Sequence, residues 1–516
     1  MTLSLTVGDP LHHATLERRS ALADSGFIAA LVNRDATLWG PAAQAEASIR
    51  LGWTAPPDSW LPVAQEIMDL REELSRKGIS RVVLCGMGGS SLGPEVMAAS
   101  ASVALTVVDS THPDEIGPEV AKDLSSTVVV VSSKSGGTVE TDSQKRAFEA
   151  AFAEQGLEPA DHIVIVTDPG SPLHQASREA RYRVFEGDPT IGGRFSAISP
   201  FGLVPMGLAG LDLMDFLKDA SAGYEACIQG GEDNPALRLG VAMAHGHPEV
   251  NKILYREDPA HPRFGDWVEQ LVAESTGKDG QGILPVVGSS LDSLSDSLSV
   301  GSAGSGSDIE ISGTLAEHMI LWEFATSVAC AEMGVNPFDQ PNVESAKVAA
   351  RELLESTTAG VREEEDLDDF SVFSRPPLPP HQKLSELPRV LGQLAGTRGY
   401  IALCIFAPRT LEPLWREVGH SIEHATGRPV TVGFGPRFLH STGQLHKGGA
   451  PEGVFLQIIA TSTRAVEIPG RDFDFSELLL SQAHGDARVL VDTGQPVISV
   501  TGSLEQVTRL VDELRA

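Results

Sequence analysis

Three stretches early in the chain, Ala104 to Val108, Thr127 to Val131 and His162 to Thr167, are short and nearly unbroken apolar runs rich in valine and isoleucine. A strand with one wet face alternates apolar and polar residues, so unbroken runs mark strands covered on both sides, as in a parallel sheet flanked by helices. A fourth strand is expected at Arg81 to Leu84. It follows a helix that starts near Asp58, with Ser59 as cap and Pro62 in the first turn, and runs to about Lys77. With a further helix over Thr138 to Phe152, the rhythm is that of a doubly wound α/β domain, whose ligands sit beyond the carboxyl ends of its strands.

Two loops of small residues lie at those ends, Gly86-Met87-Gly88-Gly89-Ser90-Ser91-Leu92-Gly93-Pro94 and Ser133-Lys134-Ser135-Gly136-Gly137-Thr138, each after a strand and before a helix. Glycines such as Gly88 and Gly89 let backbone N–H groups approach an anion, and the hydroxyls of Ser90, Ser133, Ser135 and Thr138 can donate to phosphate oxygens. Lys134 offers either its ammonium or only its backbone N–H, and each following helix turns its positive end to the ligand. Two such loops on one sheet point to a sugar phosphate. A nicotinamide site is the competing reading, because Gly86-x-Gly88 follows a strand and Asp109 lies about twenty residues further on. Against it, Ser91 stands where the third glycine of G-x-G-x-x-G belongs, and the second loop adds hydroxyl donors that a pyrophosphate does not require.

A chain of 516 residues is long for a single core. We expect two domains: residues 1–233, with an N-terminal segment and the two loops, and residues 234–516, with strands at Lys252 to Tyr255, Gly282 to Val287, Tyr400 to Phe406, Val430 to Phe434 and Val454 to Ala460. The formal net charge of −31 argues against nucleic acid or an anionic membrane as partner, so a phosphorylated ligand must be drawn by local cations and backbone dipoles. The four cysteines are widely separated and form no C-x-x-C pair, which indicates neither a disulfide frame nor a zinc site. Met1 to Leu11 carries no basic-then-apolar leader, and the longest low-charge stretch, Ile198 to Leu211, is broken by Pro200 and Pro205, so a cytoplasmic protein is expected. The serine- and glycine-rich Ser289 to Asp308 reads as a flexible surface insertion or, alternatively, a lid; Arg362 to Pro380 reads as a stiff spacer.

Six segments together resemble the glucose-6-phosphate isomerase family. Gly86 to Pro94 is similar to its G-x-G-G-S-x-L-G-P loop, Ser133 to Thr141 to its S-K-[ST]-x-x-T-x-E-T loop, and Gly192 to Ser196 to its G-G-R-[FY]-S turn. Gln270 to Lys278 resembles Q-x-x-x-E-S-x-G-K, Asn336 to Lys347 resembles N-x-F-D-Q-x-x-V-E-x-x-K, and His440 to Gln444 resembles H-S-x-G-Q. The last part is most similar to the isomerase half of fused transaldolase and isomerase enzymes. The resemblance implies two doubly wound parallel-sheet phosphosugar-binding domains of the SIS type with additional helices. It also implies interconversion of glucose 6-phosphate and fructose 6-phosphate without metal or organic cofactor, and a homodimer.

That reaction needs ring opening, removal of a proton beside a carbonyl, and stabilisation of an enediolate. Glu274 is the candidate base, and Arg194, in its two-glycine turn, the fixed positive charge against the enediolate. His440 is the candidate for moving the ring-opening proton, with Lys347 assisting, while Gln270 and Gln340 orient hydroxyls or phosphate. One departure stands out: most family members carry the histidine segment between the glutamate and lysine segments, whereas here the order is Glu274, Lys347, His440. A site is defined by geometry, so a permuted connection can still bring His440 to the same place. Two rival readings are a non-catalytic sugar-phosphate sensor, which needs the loops but not Glu274, Arg194 and His440 together, and an isomerase that also accepts mannose 6-phosphate.

Overall fold

The computed structural model describes residues 3–355 and 364–515, and of Glu344, Ala346, Lys347 and Glu355 only the backbone. The first sheet has five parallel strands in the order Thr106–Val108, Arg81–Gly86, Thr127–Ser132, Ile163–Thr167, Arg183–Glu186. Its side chains divide as unbroken apolar runs require: Val82, Leu84, Val128 and Val130 enter one core, and Val83, Cys85, Val129 and Val131 enter another on the opposite face. The preceding helix is shorter than expected, because Pro57–Trp60 forms a separate 3-10 turn ahead of the helix Leu61–Arg76.

Beyond residue 233 the strands fall into two sheets rather than one. Lys252–Tyr255 and Leu284–Val287 belong to a five-stranded sheet with Ser297–Ser302, Ile309–Ser312 and the N-terminal strand Ser4–Val7. Tyr400–Phe406, Val430–Phe434 and Gly453–Thr461 lie in a six-stranded sheet with Val497–Ser503 and an antiparallel edge. The N-terminal segment thus pairs with the later part of the chain, its Ser4–Val7 strand lying antiparallel to Ile309–Ser312. A four-residue edge strand buried on one face carries little periodicity to read.

Two segments expected to be irregular are strands. Ser289 to Asp308 contains Ser297–Ser302, which sits inside its sheet between Lys252–Tyr255 and Ile309–Ser312. Its serines are accommodated because the Asp308 carboxylate accepts from both the backbone N–H and the hydroxyl of Ser299, at 2.8 Å each. Within Arg362 to Pro380, residues 362 and 363 lie outside the described residues, while Glu365–Leu367 and Phe370–Arg375 form the antiparallel edge of the third sheet. Phe370 and Val372 are buried there in alternation with half-buried serine and phenylalanine, a period of two that the neighbouring charges and prolines obscured.

No helix among the described residues is long and apolar enough to cross a membrane. Among those residues no group of three or more His, Cys, Asp or Glu side chains is arranged to hold a metal ion.

Candidate active site

The strand Arg81–Gly86 ends in the Gly88–Ser90 turn, after which the helix Leu92–Ala101 begins. Gly88 has φ +56°, and a Cβ there would stand 2.6 Å from the carbonyl oxygen of His440; on Gly89 it would stand 2.0 Å from that of Gly193. These glycines therefore serve first to let three loops close on one another. The neighbouring strand Thr127–Ser132 runs into the second loop, where the Ser133 hydroxyl donates to Thr138 Oγ1 at 3.2 Å ahead of the helix Val139–Glu154. Lys134 is committed within the protein. Its ammonium donates to both Asp168 oxygens, at 2.9 and 2.7 Å, and to the carbonyl of Asp188 at 2.8 Å.

Arg194 sits in the 3-10 turn Gly193–Phe195, fixed from beneath by Phe195 stacking on Trp53 with ring centroids 4.8 Å apart. Arg194 is 4% exposed, and its guanidinium N–H groups reach the carbonyls of Pro337 (2.7 and 3.2 Å) and Asp339 (3.1 Å) as well as Glu274 Oε1 at 2.8 Å. A buried charge with a fork of fixed acceptors is held in one orientation, which a fixed cation needs. On the helix Phe264–Thr276, Gln270 and Glu274 lie one turn apart on the same face, and Gln270 Nε2 donates to Glu274 Oε2 at 3.1 Å and to the His440 carbonyl at 3.0 Å. Both carboxylate oxygens of Glu274 are thereby oriented.

His440 closes the short turn Arg437–His440 that follows the strand Val430–Phe434. Its Nε2 is 2.8 Å from Glu140 Oε1, so against an ionised carboxylate the ring is the donor; the same oxygen accepts from Gln482 Nε2 at 2.6 Å. Despite the changed chain order, His440 comes from the same chain as Glu274 and faces the same cavity. Deeper in, the Lys278 ammonium is 2.9 Å from Asp339 Oδ1 and also donates to the Asn336 carbonyl, supporting the segment that carries the acceptors of Arg194. Burial pulls the Lys278 ammonium down to about 8.

The cavity is about 570 Å³, within the range of a small-molecule site. It is lined by Gly89, Ser90, Ser133, Lys134, Ser135, Thr138, Arg194, Gln270, Glu274, Gln340 and His440. Gly88 packs behind it, against His440. Lys347 lies on the helix Pro341–Glu355, and its side chain is outside the described residues. Glu140, which holds the imidazole, and Gln482, which holds Glu140, are not among the residues the sequence marks as functional. Glu140 had a signal, since it stands inside the Ser133 to Thr141 loop; Gln482 comes from the remote helix Phe475–Asp492 and had none.

Residues 71–281 match the family model described as phosphoglucose isomerase. That segment is similar to the family over about two fifths of the chain. It contains both small-residue loops, the Arg194 turn and the Glu274 helix; the Asn336 to Lys347 and His440 segments lie beyond it. Among curated relatives, the glucose-6-phosphate isomerase of Thermosynechococcus vestitus is 34% identical over 213 residues, 39% of this chain and 40% of that protein. That of Citrifermentans bemidjiense is 35% identical over 224 residues, 39% of this chain and 42% of that protein. The match therefore spans about two fifths of the length of each relative. A crystal structure of a glucose-6-phosphate isomerase from Chlamydia trachomatis aligns with a TM-score of 0.54 at 19% identity, over 68% of this chain and 88% of that one. The mixed α/β, parallel-sheet architecture is thus shared with that structure.

Proposed function

We propose that this chain is an aldose–ketose isomerase that interconverts glucose 6-phosphate and fructose 6-phosphate. The observation that carries the reading is one cavity in which Glu274 is oriented by Arg194 and Gln270, with His440, bonded to Glu140, facing it and two hydroxyl-rich loops at its rim. The phosphate is held by backbone N–H groups and hydroxyls of the Gly88–Ser90 and Ser133–Thr138 loops, since the Lys134 ammonium is already engaged by Asp168.

Ring opening moves the proton of the anomeric hydroxyl to the ring oxygen, and His440, kept in one tautomer by Glu140, is the group suited to carry it. Glu274 then takes the proton from the carbon beside the carbonyl. The electron pair moves to the carbonyl oxygen, where Arg194 stabilises the enediolate; the adjacent hydroxyl proton passes to that oxygen, and the same carboxyl returns its proton to the neighbouring carbon. Atoms balance with no external oxidant or reductant, so the step asks for no cofactor. Lys347 is retained in the proposal as an assisting donor at the ring oxygen, and Gln340 as a residue that orients substrate. A homodimer and a cytoplasmic location complete the proposal.

The test is interconversion by the purified chain in the presence of EDTA. Fructose 6-phosphate and glucose 6-phosphate should each approach the same equilibrium mixture. Saturable binding of either sugar phosphate with no conversion would make the protein a sensor and overturn the reading.

A further inference from the structure

Behind the candidate site lies a buried cluster of arginines and carboxylates in which one residue reaches across three elements. Glu95 stands in the first turn of the helix Leu92–Ala101, directly after the Gly86 to Pro94 loop. Its carboxylate accepts from Arg409 Nη2 at 2.7 Å, lies 3.5 Å from Arg263 Nε, and is bonded by Arg437 Nη2.

Two of these arginines sit at the ends of functional elements. Arg263 is the N-terminal cap of the helix that presents Gln270 and Glu274, and Arg437 opens the turn that ends in His440. Arg263 holds φ +66°, a left-handed backbone that glycine adopts more easily, and its side chain also reaches Asp266 and Glu412. Other carboxylates in the cluster connect different parts: Asp109 bridges Arg409 and Arg437, and Glu412 bridges Arg263, Arg409 and Arg416. Among the described residues, Glu95 alone is ion-paired with both Arg263 and Arg437.

We propose that Glu95 is a positioning residue: one buried carboxylate, shared by Arg263 and Arg437, holds the Glu274 helix and the His440 turn in register with the phosphate loop. The role in turnover rests on the isomerase reading. A charged acceptor in a low-dielectric setting binds several guanidinium forks at once, whereas a carboxamide of the same shape carries no charge and turns a donor toward the arginines. Loss of that charge lets the two catalytic elements shift independently, and a displacement of about 1 Å at a reacting group costs on the order of 10²-fold in rate.

The experiment compares wild type, Glu95→Gln, Glu95→Asp and a control, Asp296→Asn, well below their melting temperatures. The control breaks the buried Lys252–Asp296 pair, 2.8 Å apart and outside the site. Glu95→Gln is expected to lower kcat by about 10- to 100-fold with KM within about twofold of wild type, and Glu95→Asp, which keeps the charge, to recover part of that loss. Hydrogen–deuterium exchange reads the hub without reference to activity: exchange should accelerate in Glu95→Gln at both 264–270 and 437–440, and at neither in Asp296→Asn. Unchanged kcat in Glu95→Gln, an equal kcat loss in the control, or unaltered exchange in either segment would overturn the proposal. A wild type that does not isomerise would overturn the isomerase reading instead, and the exchange pattern would still decide whether Glu95 holds the two elements.

Discussion

Glu274 Oε1 lies 2.8 Å from Arg194 Nη1, so the candidate base and the candidate enediolate stabiliser form one ion pair in the cavity wall. The pair fixes where each can act. Arg194 keeps its orientation even without the carboxylate, because the carbonyls of Pro337 and Asp339 hold the guanidinium. Glu274→Gln is therefore predicted to lower kcat by about 10²–10⁴-fold, the usual contribution of a general base. Affinity for fructose 6-phosphate, read by titration calorimetry, should change by less than about threefold, which corresponds to well under 1 kcal/mol.

His440 and Glu140 act as a unit, joined at 2.8 Å, and their contributions should not add. His440→Asn and Glu140→Gln are each predicted to reduce kcat by about 10- to 100-fold, and the double variant to lose little beyond the worse single one. Steady-state kinetics on all four proteins closes the cycle. Additive losses would mean that the two side chains serve separate steps.

The fold was legible wherever side-chain pattern and burial agree, and the candidate site wherever several chemistry-bearing residues share one segment. The strands Thr127–Ser132 and Ile163–Thr167 are dry on both faces and read directly as apolar runs. Ser297–Ser302 did not, because its place inside a sheet depends on backbone pairing and on Asp308 satisfying its serines, neither of which leaves an apolar signature. In the site, Glu274, Arg194 and the two loops come from compact segments. Gln482, by contrast, is brought to Glu140 only by packing of a helix more than three hundred residues away, at a sequence separation of 342.

Gly89 shows what the loop geometry demands. An added methyl would meet the Gly193 carbonyl at 2.0 Å, backbone against backbone, whereas at Gly137 its nearest neighbour is Ser135 Oγ at 3.9 Å. Gly89→Ala is predicted to destabilise by about 1–3 kcal/mol or more and to displace the Arg194 turn, while Gly137→Ala changes stability by less than about 0.5 kcal/mol. Urea unfolding with kcat measured in parallel checks both.

Lys134 is predicted to matter more for stability than for binding. Burial draws Lys134 below and Asp168 above their ordinary values, so neither is at ease without the other. Lys134→Met leaves a half-buried carboxylate unpaired and should cost about 1–3 kcal/mol. Substrate KM should rise by less than about threefold. A large KM increase at unchanged stability would show instead that the ammonium holds phosphate.

Glu269, next to Gln270 but beside the arginine and carboxylate cluster, makes stability depend on pH. Burial, and then the nearby Asp266 charge, push its carboxyl from 4.5 up to about 8. Between those values the folded chain holds a proton that the unfolded chain has lost, so this group's stability contribution is complete below pH 4.5 and is lost as pH rises toward 8. Glu269→Gln is predicted to stabilise by about 1–3 kcal/mol at pH 8 and hardly at all at pH 5, as read from urea unfolding at both values.

The central claim is proton transfer by Glu274 between adjacent carbons of a sugar phosphate. Its most direct test is fructose 6-phosphate turned over in deuterated water by wild type and Glu274→Gln, followed by proton NMR. The account predicts glucose 6-phosphate carrying deuterium at its second carbon with wild type, and almost none formed with the variant. Product that stays free of deuterium through many turnovers, or equal turnover by Glu274→Gln, would contradict it.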